Sequence, residues 1–141
     1  MGTITAVVVC DDIRREITGK DLIIGAYASN IVLTQFPFKI RLAFWVEYQA
    51  ERAGEHLIKL RMTYTGKTPA DVTINAQIPE AGMATMPLIG LEVNGDAPGV
   101  LRIDHFTDDE EWHCVKTVTV RKGTVTGFSG PTTAPPSVRM N

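Results

Sequence analysis

Apolar and polar residues alternate along most of this chain with a period of two, which is the pattern of β-strands that bury one face. The segment 39–49 shows the alternation most clearly, and its inward set is Ile40, Leu42, Phe44, Val46 and Tyr48. Trp45 and Arg41 therefore fall on the opposite, polar face. The alternation recurs to about Arg121, so the sequence predicts a chain built from strands.

The chain begins with two apolar, β-branched runs, at residues 3–10 and 21–27, which are joined by a charged connector. The connector closes on Thr18-Gly19-Lys20, and this pattern predicts a strand, a turn and a returning strand. A single helical turn at residues 11–16, capped by Asp12, is a competing interpretation.

Further strands follow at short spacing. Residues 39–49 and 56–65, with a polar connector between them, are interpreted as a long hairpin. The stretch Glu80 to Pro87 is irregular and is interpreted as a crossing between sheets. In the last strand, from Trp112 to Arg121, Val115 is out of phase with the later apolar residues. We therefore expect a bulge near Lys116 or an edge position there.

About eight or nine strands, with no amphipathic helix of ten or more residues, predict an all-β fold. We expect a two-sheet antiparallel β-sandwich, Ig-like or C2-like, and a closed β-barrel is the alternative. The domain is predicted to span residues 1–122, followed by a disordered Gly/Thr/Pro-rich tail at 123–141. The predicted core residues are Ile40, Leu42, Phe44, Val46, Ile58, Leu60, Met62, Ile74, Leu91 and Ile103.

Composition narrows the classes of partner. The chain has 141 residues, a formal net charge of -2 and a pI near 5.9, which argues against nucleic acid as a partner. No apolar stretch approaches the roughly 18 residues of a membrane helix, and no signal segment opens the chain, so we expect a soluble, cytoplasmic protein without membrane insertion. Cys10 and Cys114 are expected to be buried free thiols.

The order of several short motifs resembles a known family. These motifs are Cys10-Asp11-Asp12, Gly19-Lys20, the Leu22-to-Tyr27 strand, Phe36-Pro37, Gly54-Glu55-His56 and the Gly99-to-Ile103 strand. Over about residues 5–122 the chain resembles a family of small uncharacterised bacterial and phage proteins, a domain of unknown function with a predicted β-sandwich. The resemblance implies that fold and a microbial or phage source, and it implies no catalytic residue.

The histidines are the first candidates for chemistry. A zinc site would need His105, His113 and Cys114 to converge at one hairpin end, and an enzyme site could use His105, His113 and Asp109. Packing or solvent exposure is the simpler interpretation. Catalytic residues are therefore not assigned.

An acidic run near the end of the chain is a candidate cation site. Clustered carboxylates supply the oxygen ligands that Ca²⁺ prefers. The same run could simply keep a hairpin loop soluble, since it lacks the Asp-x-Asp spacing of a calcium loop. The residues are Asp104, Asp108, Asp109, Glu110 and Glu111.

Trp45, framed by Arg41, is a candidate interface anchor because a tryptophan on a polar face either marks a contact or is covered by a loop. The connector Glu80 to Pro87 is the candidate cover, and Trp112 is interpreted as a plug at the end of the sandwich. The leading hypothesis is a non-enzymatic interaction module that binds a protein partner or itself as a homo-oligomer. The alternatives are a calcium-dependent membrane- or glycan-binding domain and an enzyme.

Overall fold

A computed structural model of the protein describes residues 2–124, which form nine β-strands and no helix. The strands are β1 (Gly2–Arg15), β2 (Asp21–Tyr27), β3 (Asn30–Leu33), β4 (Phe38–Ala50), β5 (Gly54–Tyr64), β6 (Ala70–Ile78), β7 (Gly82–Gly95), β8 (Gly99–Phe106) and β9 (Trp112–Lys122). Within the described residues, no helix is long and apolar enough to cross a membrane. The division at residue 122 stays a prediction, since the predicted tail lies outside the described residues from 125 onward.

Sheet A has four strands in the order β2-β1-β4-β7, and all of its neighbours are antiparallel. In the β1–β2 turn, the Glu16 amide donates to the Lys20 carbonyl at 2.7 Å. Gly19 has a φ of 90°, a left-handed conformation that glycine adopts without a steric cost. The hairpin prediction is confirmed, and the helical turn considered for residues 11–16 is wrong.

Sheet B has five strands in the order β3-β9-β8-β5-β6, in which β3 is parallel to β9 and the other neighbours are antiparallel. It curves into a half-barrel that does not close. The all-β, two-sheet prediction is therefore confirmed, and the closed-barrel alternative is wrong.

The core lies between the two sheets and is made of the inward sets that the alternation predicted. All ten predicted core residues belong to it. Six are buried and four are partly buried at its margin, the latter being Ile40, Met62, Ile74 and Leu91. Phe44 is 2% exposed, so the phase predicted for β4 is confirmed.

Two predicted connections are wrong. β4 lies in sheet A and β5 in sheet B, so residues 39–49 and 56–65 do not form a hairpin. Alternation reports which face of a strand is buried, but it does not identify the neighbouring strand. The predicted crossing at Glu80–Pro87 is mostly strand β7, whose edge position tolerates Pro87, and only residues 79–81 separate it from β6 in the other sheet.

The predicted bulge in the last strand is confirmed. The register between β8 and β9 shifts where Ile103 is opposite Lys116 but Asp104 is opposite Cys114, which leaves Val115 as the extra residue. Because of the extra residue, Trp112 and Cys114, which precede it, lie on the same side of sheet B as Phe106 and Asp104, away from the core. As a result, Trp112 is opposite Phe106.

Candidate functional site

The outer face of sheet B, which points away from the core, carries two neighbouring cross-strand rows. The first row contains Trp112, Phe106, Lys59 and Thr73, on β9, β8, β5 and β6. The second contains Cys114, Asp104, Arg61 and Asp71 on the same strands, each opposite the next. A cleft of about 220 Å³ lies over the first row and is lined by Lys59, Asp71, Thr73, Phe106 and Trp112.

Two aromatic rings form one side of this cleft. The ring centroids of Phe106 and Trp112 are 5.1 Å apart, within the range of a stabilising aromatic pair. The Arg61 guanidinium carbon lies 4.2 Å from the Trp112 ring centroid, and the Lys59 ammonium lies 5.4 Å from that of Phe106. Both distances allow attraction between the cation and the negative face of the ring, which helps to fix the two aromatic side chains.

The carboxylate of Asp71, on β6, also lines the cleft and is held in a fixed geometry. Arg61 donates two hydrogen bonds to Asp71, from Nε at 2.7 Å and from Nη2 at 3.0 Å. These hydrogen bonds hold the pKa of Asp71 below its ordinary value. A carboxylate has about four acceptor positions, so Asp71 keeps acceptor capacity toward the cleft.

The predicted cation loop is a turn held together by its own Asp109. The Glu111 amide donates to Asp109 Oδ1 at 3.1 Å, and the Thr107 hydroxyl donates to the same oxygen. His113 Nε2 lies 2.8 Å from Asp109 Oδ2. The pKa of Asp109 is lowered by the hydrogen bonds from Thr107 and from His113. Both carboxylate oxygens therefore serve the turn.

The other residues of the acidic run do not converge with Asp109. Asp104 lies on β8, is 6% exposed, and accepts a hydrogen bond from Arg102 Nε at 2.8 Å. Asp108, Glu110 and Glu111 are exposed in the loop. Among residues 2–124, no three His, Cys, Asp or Glu side chains are grouped so that they could hold a metal ion. The calcium and zinc sites stay predictions without a geometric group to support them.

The three histidines occupy different environments. His56 is fully buried, with Nδ1 2.9 Å from the Tyr48 hydroxyl and Nε2 2.8 Å from the Arg52 carbonyl. His105 is buried as well, and this burial lowers its pKa. It is opposite His113 in the β8–β9 ladder, while His113 is exposed. The structure thus brings the residues of the enzyme alternative near one another, and a catalytic role for them stays a prediction.

Trp45 and Arg41 lie on the outer face of sheet A. Trp45 is half-buried, and its Nε1 donates to Asp21 Oδ2 at 3.1 Å. It packs with a small second cluster of Cys10, Ile13, Ala43 and Ile23. The cover is therefore the β1–β2 hairpin, and the connector proposed from the sequence, Glu80–Pro87, is not the cover. Arg41 is exposed opposite Glu92. An interface role for Trp45 and Arg41 stays a prediction.

The two cysteines are free, but only one is buried. Cys10, on β1, is inaccessible in the small cluster that contains Trp45, and burial raises its pKa. Cys114 is exposed on the outer face of sheet B. The expectation of two buried thiols is wrong for Cys114, because the bulge at Val115 turns Cys114 away from the core.

Comparison with known proteins identifies the family. Residues 5–117 match a family of unknown function, DUF6941. The chain belongs to the DUF6941 family. No curated protein matches it. The predicted resemblance to a family of unknown function is thereby confirmed, and the bacterial or phage origin stays a prediction.

The cleft of this DUF6941 domain was missed by sequence reasoning. Trp112 was assigned to the end of the sandwich, whereas it lies opposite Phe106 on the outer face. Phe106 alternates with Arg102 and Asp104, which placed it on the polar face of β8. That phase was a usable signal, but pairing Phe106 with Trp112 also required the strand order.

Proposed function

We propose that this DUF6941 domain is a non-enzymatic interaction module that self-associates through the open edge of sheet B. The observation that carries the proposal is β6, whose described neighbour on one side is β5 and which has no described strand on the other. A strand edge with unpaired backbone groups is a template for pairing with another chain.

The other three edges carry features that discourage such pairing. β3 has only four residues. β7 contains Pro87 and a register shift beside Gly90, whose φ is 75°. β2 contains Gly25 at a φ of 68°, which interrupts an extended edge. Short length, proline and bulges are the usual means by which proteins protect sheet edges.

β6 has none of these features. It runs for nine residues, from Ala70 to Ile78, in continuous register with β5 and without proline, glycine or lysine. Asp71 is its one charged residue. The strand is therefore long and regular enough to add a partner strand, and the partner that is always present is a second copy of the same chain.

A two-fold axis through Ile74 would pair two copies of β6 antiparallel without a charge conflict. In that register Thr73 lies opposite Asn75 of the second copy, and Asp71 lies opposite its Gln77. No like charges face each other, which removes the main electrostatic obstacle to a cross-strand pair. The resulting assembly would be a symmetric dimer with a continuous ten-stranded sheet.

Sedimentation of the full chain at micromolar concentration tests this proposal. We expect a dimer for the wild type. The double variant Thr73→Lys with Asn75→Lys should be monomeric, because it places cations opposite each other across the two-fold axis. A matched control is Thr117→Lys with Thr119→Lys, which adds the same charge to exposed positions of β9 inside the sheet.

Two outcomes would contradict the proposal: a wild-type monomer at high micromolar concentration, or a β6 double variant that still dimerises. A cytoplasmic location and the absence of nucleic-acid binding belong to the same proposal. They are supported by the two free thiols and by the formal net charge of -2.

A further inference from the structure

We propose that the cleft on the outer face of sheet B binds the proline-rich segment 135–139 of the same molecule. Residues 125–141 lie outside the described part of the chain. The segment reads Pro135-Pro136-Ser137-Val138-Arg139, and it begins 11 residues after Thr124, the last described residue. The proposal does not depend on pairing through β6, since it rests on the first cross-strand row and on the loop 107–111.

The two aromatic rings of the cleft match the chemistry of proline. Trp112 and Phe106 are both partly buried, and both line the cleft. The electron-rich face of an aromatic ring attracts the slightly positive C–H groups of a proline ring. Consecutive prolines favour the polyproline II conformation, so such a segment loses little conformational freedom when it binds. Grooves lined by aromatic residues are the usual binding sites of proline-rich segments.

The polar wall of the cleft supplies hydrogen-bond donors for such a segment. A polyproline II segment makes no internal hydrogen bonds, so its carbonyl groups need other donors. The Thr73 hydroxyl and the Lys59 ammonium line the cleft, and both can donate. The volume of about 220 Å³ is below the roughly 300 Å³ at which drug-sized pockets begin. The cleft therefore suits a few residues of a peptide that continues beyond it.

The charges around the cleft favour a segment that carries a cation. Three cations, Lys59, Arg61 and Arg102, lie beside six carboxylates, which leaves a net charge of -3 with His113 neutral. The carboxylates are those of Asp71, Asp104, Asp108, Asp109, Glu110 and Glu111, the last four in the loop that joins β8 to β9. Arg139 is the one charged side chain in the sequence of residues 125–141. The acidic loop would attract it, and salt would weaken this attraction.

The length of the tail and the order of its groups also fit this site. Thr124 follows Trp112 by 12 residues, one of which is the extra residue of the bulge, so the two are about 36 Å apart at 3.3 Å per residue. Segment 135–139 follows Thr124 by 11 to 15 residues, which span about 34 to 47 Å at the polyproline II rise of 3.1 Å. A tail that returns along the outer face of β9 therefore brings its prolines to Trp112 and its arginine to the acidic loop beyond.

Paramagnetic NMR of the full chain tests the proposal. A nitroxide is attached to Asn141→Cys in a Cys114→Ser background, since Cys10 is inaccessible. The chain has two tryptophans, so the indole N–H signal of Trp112 reports on the cleft and that of Trp45, on the other sheet, is the internal control. Tethering supplies an effective concentration in the millimolar range, so we expect the nitroxide to broaden the Trp112 signal at least about threefold more than the Trp45 signal.

Variants of the tail distinguish binding at the cleft from chance proximity. Pro135→Ala with Pro136→Ala should make the two indole signals broaden equally. Thr126→Ala with Ser129→Ala is the matched control, since it lies outside the proposed segment and should leave the difference unchanged. High salt should reduce the difference with the wild-type tail sequence and have little effect in the Arg139→Gln variant.

Three outcomes would overturn the proposal. The first is equal broadening of the two indole signals with the wild-type tail sequence. The second is a preference for Trp112 that survives the two proline substitutions. The third comes from a mixture of isotope-labelled protein without nitroxide and unlabelled protein with nitroxide. Selective broadening of Trp112 in that mixture would assign the bound segment to a second copy of the chain.

Discussion

The outer faces of the two sheets carry the same kinds of residue. On sheet A a hairpin covers the tryptophan among them, and on sheet B no described segment does. Each face has one tryptophan, one cysteine and an Arg–Asp ion pair beside the tryptophan. On sheet A, Trp45 packs under the β1–β2 hairpin and in one cluster with Cys10 of β1, next to the ion pair of Arg15 with Asp21. On sheet B, Cys114 is exposed, and the partly buried Trp112 stacks on Arg61, which is paired with Asp71.

The difference shows that a residue on the outer face of a strand is not always exposed. Its exposure also depends on whether another segment of the chain packs over that face. β1 and β2 extend beyond the ladder with β4, which ends at Cys10 opposite Ala43. The extension packs over Trp45. Sheet B has no such extension among the described residues.

The largest expected effect on stability comes from truncating a residue of the core between the two sheets. Phe44 is next to Trp45 in the chain but points to the core and is 2% exposed. Phe44→Ala should lower the free energy of unfolding by about 3 to 5 kcal/mol, the usual cost of truncating a buried phenylalanine. Urea denaturation measures this cost. A loss below about 1 kcal/mol would mean that β4 presents its faces the other way round.

The second prediction compares the reactivity of the two thiols, one on the outer face of each sheet. In the native protein a small thiol reagent should modify Cys114 and spare Cys10, because only Cys114 is exposed. We expect a rate ratio of about a hundredfold or more, since Cys10 becomes reachable only when the hairpin opens. Mass spectrometry of digested protein gives both rates, and Cys114→Ser is the control. Comparable rates would show that the hairpin does not cover sheet A.

The strands of both sheets could be predicted from the sequence because each buries one face, and period-two alternation records that burial directly. The inward set of β4, the β1–β2 hairpin and the bulge at Val115 were all visible in this way. The bulge was visible because one apolar residue was out of phase with Val118 and Val120.

What the sequence could not supply is the order of strands within the sheets. β4 and β5 have well-defined faces and a short connector, yet they belong to different sheets. The candidate cleft depends on that order, since Lys59, Phe106 and Trp112 are aligned only when β5, β8 and β9 are adjacent. The cover on Trp45 was missed for the same reason. No local pattern shows that the β1–β2 hairpin extends past the end of its ladder with β4.

The third effect compares the two tryptophans. Trp45→Ala should cost about 2 kcal/mol, less than the roughly 3 to 5 kcal/mol of a fully buried ring, because Trp45 is half-buried. Trp112→Ala should cost less, about 1 kcal/mol, because the partly buried ring contacts Phe106 and Arg61 on a face that no hairpin covers among the described residues. Urea denaturation gives both values, and sedimentation of the Trp45 variant tests its predicted interface role. A stable Trp45 variant that no longer self-associates would support the interface over packing.

The smallest expected effect compares the two ion pairs. The pKa of Asp21 is lowered by hydrogen bonds from Arg15 and then from Trp45, and that of Asp71 is lowered by hydrogen bonds from Arg61. A carboxyl whose pKa is lower in the folded state stabilises the protein above its unfolded value of about 3.9. That stabilisation is lost as pH falls through the folded pKa. Stability should therefore decrease between about pH 5 and pH 2.

The two ion pairs should contribute different amounts to stability because their carboxylates differ in exposure. The Asp21 side chain is 6% exposed and that of Asp71 is 53% exposed, so salt should screen the Asp71 pair far more. We expect Asp21→Asn to cost more stability at pH 7 than Asp71→Asn. High salt should reduce only the smaller of these costs. Urea denaturation of both variants at pH 7 and at about pH 3, with and without sodium chloride, measures how the stability cost of each substitution depends on pH and on salt. If Asp71→Asn cost more stability than Asp21→Asn, the prediction would be wrong. The exposed ion pair of sheet B would then contribute more to stability than the covered pair of sheet A.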